Sequence, residues 1–337
     1  MNHLAGSWLG LGSADRLAAP PWRPALRRAA RSSSLRSDTM AARTAEIRLT
    51  PALAARPRRY ETASMQLASP HIEALTRMID QALERVLPRA AGAPKVIREA
   101  MHYCVFSGGK RFRPLLCLGA CEAIGQPVRQ ALSAACAVEL VHTYSLVHDD
   151  LPAMDNADER RGQPSCHRRF GEANAILVGD ALLTLAFELL SRNGTPNPLR
   201  ILRTIGQASG TEGLIGGQVL DLACGARNAT CKVEHLEDVA RRKTAALIAA
   251  SVVAGALAGG ATAPQLKRLQ RFGQDVGLAF QLMDDVHDDD GLAHAMGPVA
   301  ARQKAERLIA SAVQPLASFG KRADVLRHLA DWLRVSP

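Results

Sequence analysis

The stretch AVELVHTYSLVHDDLPAMDNADERRG, residues 137–162, runs an apolar helical pattern straight into Asp149, Asp150, Asp155, Asp158 and Glu159, then closes with Arg160 and Arg161. Alone, such a run reads equally well as a solvated helix end. A second stretch, GLAFQLMDDVHDDDG at 277–291, repeats the arrangement. At about 100° per residue, Asp284 and Asp288 lie one turn apart on one face, with Asp285 and Gln281 beside them in a narrow stripe. Carboxylates this close stay ionised only when cations sit among them. Oxygen-only donors favour a hard ion, Mg²⁺ before Ca²⁺, and Mg²⁺ typically keeps waters and shares substrate phosphates.

The first cluster works differently. Asp149 and His142 share a helix face, but Asp155 would point elsewhere on an unbroken helix. Pro152 cannot continue the backbone hydrogen-bond ladder. A distortion there brings Asp155 back toward Asp149.

Outward from these clusters the pattern is helical nearly throughout. In SPHIEALTRMIDQALERVL, apolar residues from Ile72 to Val86 recur at three and four, behind Ser69 and Pro70 as N-cap and first turn. Similar helices are expected at 95–106, 112–124, 128–151, 172–191, 199–222, 233–257, 264–288, 299–317 and 322–334, separated by Gly/Pro/Asn-rich joints. No alternating strand pattern and no fixed repeat occurs. The expected fold is a single all-α bundle over 66–337, with neighbouring helices antiparallel where loops are short.

Residues 1–65 form an Arg/Ala-rich extension. Its eleven arginines, from Arg16 to Arg59, face only Asp15, Asp38, Glu46 and Glu61, so most of the chain's net +10 sits there. That weakens a nucleic-acid reading of the folded part. The composition is that of an organelle transit peptide, and equally that of an unstructured extension or a start placed ahead of Met40 or Met65. The seven cysteines are odd in number and lack CxxC spacing. They are expected to be free thiols in a reducing compartment, with no disulfide and no zinc site. The expected location is the cytoplasm, with organelle targeting by the extension as the alternative. No apolar run is expected to reach the roughly 18 residues of a membrane span.

Cations supply the other half of the pattern. GGKRFRP (108–114) sets Lys110, Arg111 and Arg113 behind a glycine pair, Arg160 and Arg161 follow the first acidic run, and Lys243 and Thr244 lie in RRKTAAL. A guanidinium fork suits diphosphate oxygens, and Lys acts as a point charge. GGK lacks the spacing of a Walker A loop. Acids for Mg²⁺ and bases for phosphate, on helices otherwise rich in Ala, Leu and Val, suit a ligand with a diphosphate head and a hydrocarbon tail.

GGKRFRP, the first acidic motif with its RRG, PSCHRRFGEANAILVGDALLTLAFELL (164–190), GLIGGQVLDL (213–222), Lys243-Thr244 and GLAFQLMDDVHDD together resemble the trans-polyprenyl diphosphate synthases, in particular bacterial farnesyl diphosphate synthases, over about 68–335. The resemblance implies an isoprenoid synthase bundle around a central apolar cavity, dimeric, joining isopentenyl diphosphate to an allylic diphosphate. It assigns Mg²⁺, three ions with substrate, to Asp149, Asp150, Asp155, Asp284, Asp285 and Asp288. Arg160, Lys243, Thr244 and Gln281 would assist at the allylic diphosphate; Gly109, Lys110, Arg113, His142 and Arg161 would hold isopentenyl diphosphate. Tyr144, five residues before Asp149, would floor the cavity and favour a C15 product, farnesyl diphosphate, with geranylgeranyl diphosphate as the alternative. Asp180 and Asn174 match the family pattern without an assigned role.

The chain departs from that pattern after the second acidic run. Family members usually carry a loop with a Gly-Lys pair, a second Lys and a Thr-Tyr-Pro segment; here DDDG leads directly to LAHAMGPVAARQKAERL, and Lys304 lies too far into the next helix to substitute. Weaker diphosphate binding, leakage to hydrolysis or no turnover is expected. The alternative is a non-catalytic partner subunit of an active synthase. A class I terpene cyclase shares the acidic clamp but not GGKRFRP, and an HD-type phosphohydrolase lacks its metal histidines.

Overall fold

The computed structural model describes residues 69–89, 92–192, 194–224 and 231–335. All lie within the unit Pro57–Pro337, and the 1–65 extension falls outside them. Helix α1 (Pro70–Val86) begins where the Ser69 side chain accepts from the Ile72 N–H, with Pro70 in the first turn, as the sequence indicated. Leu75, Ile79, Ala82 and Leu83 make its buried stripe. Then come α2 (Lys95–Phe106), α3 (Phe112–Ala123), a 3₁₀ turn at Val128–Ala131 and α4 (Leu132–Asp149). A hairpin of β1 (Glu159–Arg160) and β2 (Gln163–Pro164) separates α4 from α5 (Cys166–Phe170) and α6 (Glu172–Ser191). The second half holds α7 (Pro198–Ser209), α8 (Leu214–Cys224), α9 (Val233–Ala240), α10 (Ala246–Ala258), α11 (Ala263–Asp288), α12 (Gly291–Met296), α13 (Pro298–Val313) and α14 (Asp324–Val335). The all-α class is therefore as expected.

Helix α10 is the hub. It is apolar on every side, as a helix buried over most of its surface must be, and packs against α3, α7, α11 and α4. Gly255 sets how close the partners come. A Cβ there would lie 1.8 Å from the Cys117 carbonyl oxygen, so α3 and α10 cross at backbone contact. Because α10 touches both α4 and α11, it fixes the two acidic runs relative to each other.

Several expectations need correction. The helix expected at 199–222 breaks between Ser209 and Leu214, at Gly210 and Gly213. The one expected at 233–257 is interrupted by a π turn, Arg241–Ala245. The helix expected to 317 ends at Val313, continuing as 3₁₀ turns with a kink at Gly320. Two-residue strands occur where none was foreseen, because Arg161 (φ 55°) and Gly162 (φ 74°) supply the two positive φ values that a tight hairpin turn requires. The cysteines are not all free: Cys224 pairs with Cys231. Finally, α6 is long and apolar enough by composition to cross a membrane. It packs on α4 with one face, and Ile176 and Leu177 stay exposed on another.

Candidate active site

The end of α4, the β1–β2 hairpin, α11, the π turn and the GGKRFRP loop bring the charged motifs together. At the end of α4 the chain folds back after Pro152: the Asp155 N–H donates to the Asp149 carbonyl at 2.9 Å, and the Asn156 N–H to that of Leu151 at 3.1 Å. Asp155 thus returns beside Asp149, as Pro152 foretold. Burial pushes the Asp149 carboxyl up to about 6; Asp155 and Asp150 add to the rise, while Lys243 and Arg160 oppose it. A rise in this direction marks a site that disfavours uncompensated negative charge.

Asp150 stands apart from that pair. It is buried, and its carboxylate accepts from Arg160 Nε at 3.0 Å and Nη2 at 2.5 Å. The hairpin sends neighbouring arginines to different places. Arg160 turns to Asp150, whereas Arg161 donates to the Gly108 carbonyl in the GGKRFRP loop.

The second acidic run lies on α11. Asp284, Asp285 and Asp288 line a cleft of about 180 Å³ with Asp221, Lys243, Thr244 and Gln281. Thr244 Oγ1 donates to Gln281 Oε1 at 2.5 Å, and Gln281 Nε2 donates to Asp285 Oδ1 at 2.6 Å. The other Asp285 oxygen accepts from the Leu292 N–H at 2.8 Å. Both oxygens of this buried carboxylate are therefore committed, one to the amide that orients Thr244 and one to the start of α12. Burial raises its pKa to about 6, against the pull of those two donors. α12 follows the second acidic run directly and offers the cleft Gly291 and Leu292. Lys304 instead pairs with Glu237 at 2.5 Å.

Lys243 joins the two acidic runs. It lines the α11 cleft and lies in the field of Asp149, and its Nζ bonds Asp221 Oδ2 at 2.6 Å. It sits in the π turn, a helical irregularity common at functional sites. Gly217 on α8 lets that turn approach: a Cβ would fall 2.3 Å from the Lys243 backbone nitrogen. Gln218, next in sequence, is buried with neither amide atom hydrogen-bonded. Within GLIGGQVLDL the sequence pattern assigns Gln218 and Asp221 no role; a Gln and an Asp one turn apart on an apolar helix are the available signal.

A second cleft, about 430 Å³, is lined by Gly109, Lys110, Arg113, Glu139, His142, Arg161, Phe280 and Asp284. Gly108 (φ 107°) and Gly109 (φ 134°) allow its tight loop. Arg111 is structural. It is buried and bonds Asp80 and Glu139, both at 2.8 Å, and the Val105 carbonyl at 2.9 Å. Arg113 is buried with no partner at Nε, and burial lowers its pKa to about 10 despite Glu139 and Asp284. Burial and the surrounding arginines hold His142 well below its ordinary range, hence neutral. Lys110 Nζ lies 4.5 Å from the centre of the Trp332 ring on α14, a contribution invisible from sequence. Tyr144 is 4% exposed, its ring edge-on to His148, with its hydroxyl buried and without a hydrogen-bond partner. Asn174 donates to the Phe170 carbonyl, and Asp180 lies near His148, whose ring bonds the Ile176 carbonyl.

Among the described residues, no hydrogen bond or ion pair engages the side chains of Asp149, Asp155, Asp284 or Asp288. Asp284 and Asp288 line the α11 cleft, and Asp149, with Asp155 returned beside it, reaches that cleft through the field of Lys243; hard oxygen donors of this kind, with raised carboxyl pKa values where resolved, suit Mg²⁺. Such a bundle, with acidic helix ends meeting a cation-rich loop, defines the isoprenoid synthase class of fold.

The chain belongs to the polyprenyl synthetase family, whose sequence profile matches residues 94–314. It is 43% identical over 252 residues to a heterodimeric geranylgeranyl pyrophosphate synthase large subunit of Arabidopsis thaliana, covering 73% of this chain and 67% of that protein. It is 46% identical over 213 residues to a chloroplastic geranylgeranyl pyrophosphate synthase of Capsicum annuum, covering 62% and 58%. Among solved structures, an FPP/GFPP synthase of Zymomonas mobilis superposes with a TM-score of 0.73 at 36% identity, covering 77% of this chain and 96% of that one. A geranyltransferase of Legionella pneumophila gives 0.73 at 35%, covering 78% and 95%.

Proposed function

We propose that the protein condenses isopentenyl diphosphate with dimethylallyl or geranyl diphosphate to form farnesyl diphosphate, with Mg²⁺ bound. The observation that carries this is the pairing of two clefts, one acidic and one cationic, which share Asp284. Two diphosphates of adjoining reactants need such a pair.

Asp149, Asp155, Asp284 and Asp288 would hold the metal, three ions on the family pattern. Asp150 and Asp285 serve the same centre at one remove, by fixing Arg160 and Gln281. Bound Mg²⁺ supplies the positive charge that eases loss of pyrophosphate from the allylic carbon. Lys243, Thr244, Gln281 and Arg160 orient the allylic diphosphate. Gly109, Lys110, Arg113, Arg161 and neutral His142 hold the isopentenyl diphosphate, whose double bond attacks the allylic cation. The departing pyrophosphate accepts the final proton. Buried Tyr144 limits the product to C15, although several relatives are named as geranylgeranyl synthases. Purified protein incubated with Mg²⁺, geranyl diphosphate and labelled isopentenyl diphosphate should yield a labelled C15 diphosphate. A C20 product would overturn the farnesyl assignment, and no incorporation would overturn the catalytic one.

One observation favours a second reading. With α12 in place of the loop, the cleft gains Gly291 and Leu292 and no further cation. A chain so altered can serve as the partner of an active synthase, and one relative is named as a heterodimer subunit. Product formed only on mixing with a homologous synthase would establish that role. We also propose a homodimer, supported by apolar side chains left exposed on α6 (Ile176, Leu177) and α8 (Ile215, Val219, Leu222). Light scattering of the full chain tests it. The cytoplasm stands as the proposed location, against the chloroplastic relatives; imaging a C-terminal fusion of the full chain decides.

A further inference from the structure

The Cys224–Cys231 disulfide has an additional neighbour. The Cys224 and Cys231 sulfurs and a ring nitrogen of His235 all lie within 4.8 Å of one another. Cys224 ends α8, Cys231 precedes α9, and His235 lies on the first turn of α9. The three side chains are half-buried, reachable from solvent yet held by two helices. The diphosphate reading gives these residues no work.

We propose that Cys224, Cys231 and His235 form a thiol-controlled zinc site, closed as a disulfide when oxidised and ligating Zn²⁺ when reduced. The donor set decides the ion. Two thiolates and an imidazole are soft and borderline ligands, which select Zn²⁺ over the Mg²⁺ suited to the acidic cleft. The geometry agrees. Around tetrahedral zinc with Zn–S of about 2.3 Å, two sulfurs stand ~3.8 Å apart and the imidazole nitrogen slightly nearer. Those separations fit inside the 4.8 Å cluster. The Cα atoms of the two cysteines are 6.0 Å apart. From that distance the sulfurs reach either arrangement by side-chain rotation alone. Three protein ligands leave the fourth position to water.

The chemistry balances with one co-reactant. A dithiol reductant gives two electrons and two protons to the disulfide, and its own thiols close to a disulfide. Each freed cysteine then loses its proton to solvent on ligating zinc, so two protons leave per ion. In either state the end of α8 is tied to the start of α9. Those helices carry Asp221 and lead into Lys243, which are joined at the acidic cleft. The site therefore anchors the far end of the segment that presents that pair.

The test uses the full chain, reduced and freed of reductant under anaerobic conditions, then titrated with Co²⁺ and Zn²⁺. The expected result is one Co²⁺ per chain with an intense thiolate-to-cobalt band in the near ultraviolet, displaced stoichiometrically by Zn²⁺. Carboxylates of the acidic cleft can bind Co²⁺ but give no such band. His235→Ala keeps both thiols and should weaken Zn²⁺ binding at least tenfold in competition with a coloured chelator. The double variant Cys224→Ser/Cys231→Ser should lose the band while keeping its helical circular dichroism. Absence of the band in the reduced wild type overturns the proposal, as does its survival in the double variant. Unchanged affinity in His235→Ala removes the histidine and sinks the three-ligand site.

Discussion

Replacing Asp149 by asparagine should make the metal-free protein more stable while removing its activity. The Asp149 carboxyl is raised to about 6 from 3.8, first by burial and then by Asp155 and Asp150. A carboxyl raised on folding binds more protons in the folded chain than in the unfolded one. Its contribution is fully present below pH 3.8 and is lost as pH climbs through 6. The rise corresponds to roughly 3 kcal/mol; because the side chain is only half-buried, about 2 kcal/mol is expected after solvent screening. The Asp149→Asn variant escapes that cost, so near neutral pH it should exceed the wild type by about 2 kcal/mol, a few degrees in Tm for a domain of this size. The assay is urea unfolding in EDTA from pH 4 to 8. The gap should be small at pH 4, reach about half its limit near pH 5 and be complete by about pH 7. Adding Mg²⁺ with a diphosphate analogue should reverse the order, because only the wild type retains the ligand. A variant less stable than wild type in EDTA at pH 7.5, or parallel pH profiles, would refute the reasoning.

Three further outcomes are expected. Glu139→Gln removes the buried partner of Arg111 and should cost about 3 kcal/mol, read as a lower urea midpoint without loss of cooperativity. Gly217→Ala drives a methyl into the Lys243 backbone; it should destabilise by about 1–3 kcal/mol and lower kcat more than a surface Gly→Ala control. Tyr144→Phe deletes an unpartnered buried hydroxyl and should be neutral or slightly stabilising with product length unchanged, whereas Tyr144→Ala should lengthen the product, as chromatography of the dephosphorylated alcohols would show.

Much of the bundle could be read from the sequence, because most helices announce themselves through local signals. The 172–191 boundaries matched residue for residue, and the Ser69–Pro70 start held. The return of Asp155 to Asp149 was legible for the same reason, since a proline three residues beyond the helix end leaves few alternatives. What escaped depends on contacts distant in the chain. The π turn at Arg241–Ala245 is packed against Gly217, and nothing in RRKTA signals it alone. Asp285 looked like its neighbours, yet its carboxylate is spoken for by a backbone N–H seven residues on, in a helix too short for periodicity to reveal. Cys224 and Cys231 meet because two helices end side by side, which spacing cannot announce. Trp332 reaches Lys110 from the far end of the sequence.

The π turn also fixes how the protein tolerates change in length. It holds one residue more than the α-helical path would, between α9 and α10, so those helices run as a single rod whose two halves are out of step. Excising one residue from 241–245 would let the rod wind regularly and keep its hub buried, yet rotate the lysine or the threonine off the diphosphate side. Swapping side chains there is a milder injury than shortening the backbone by one.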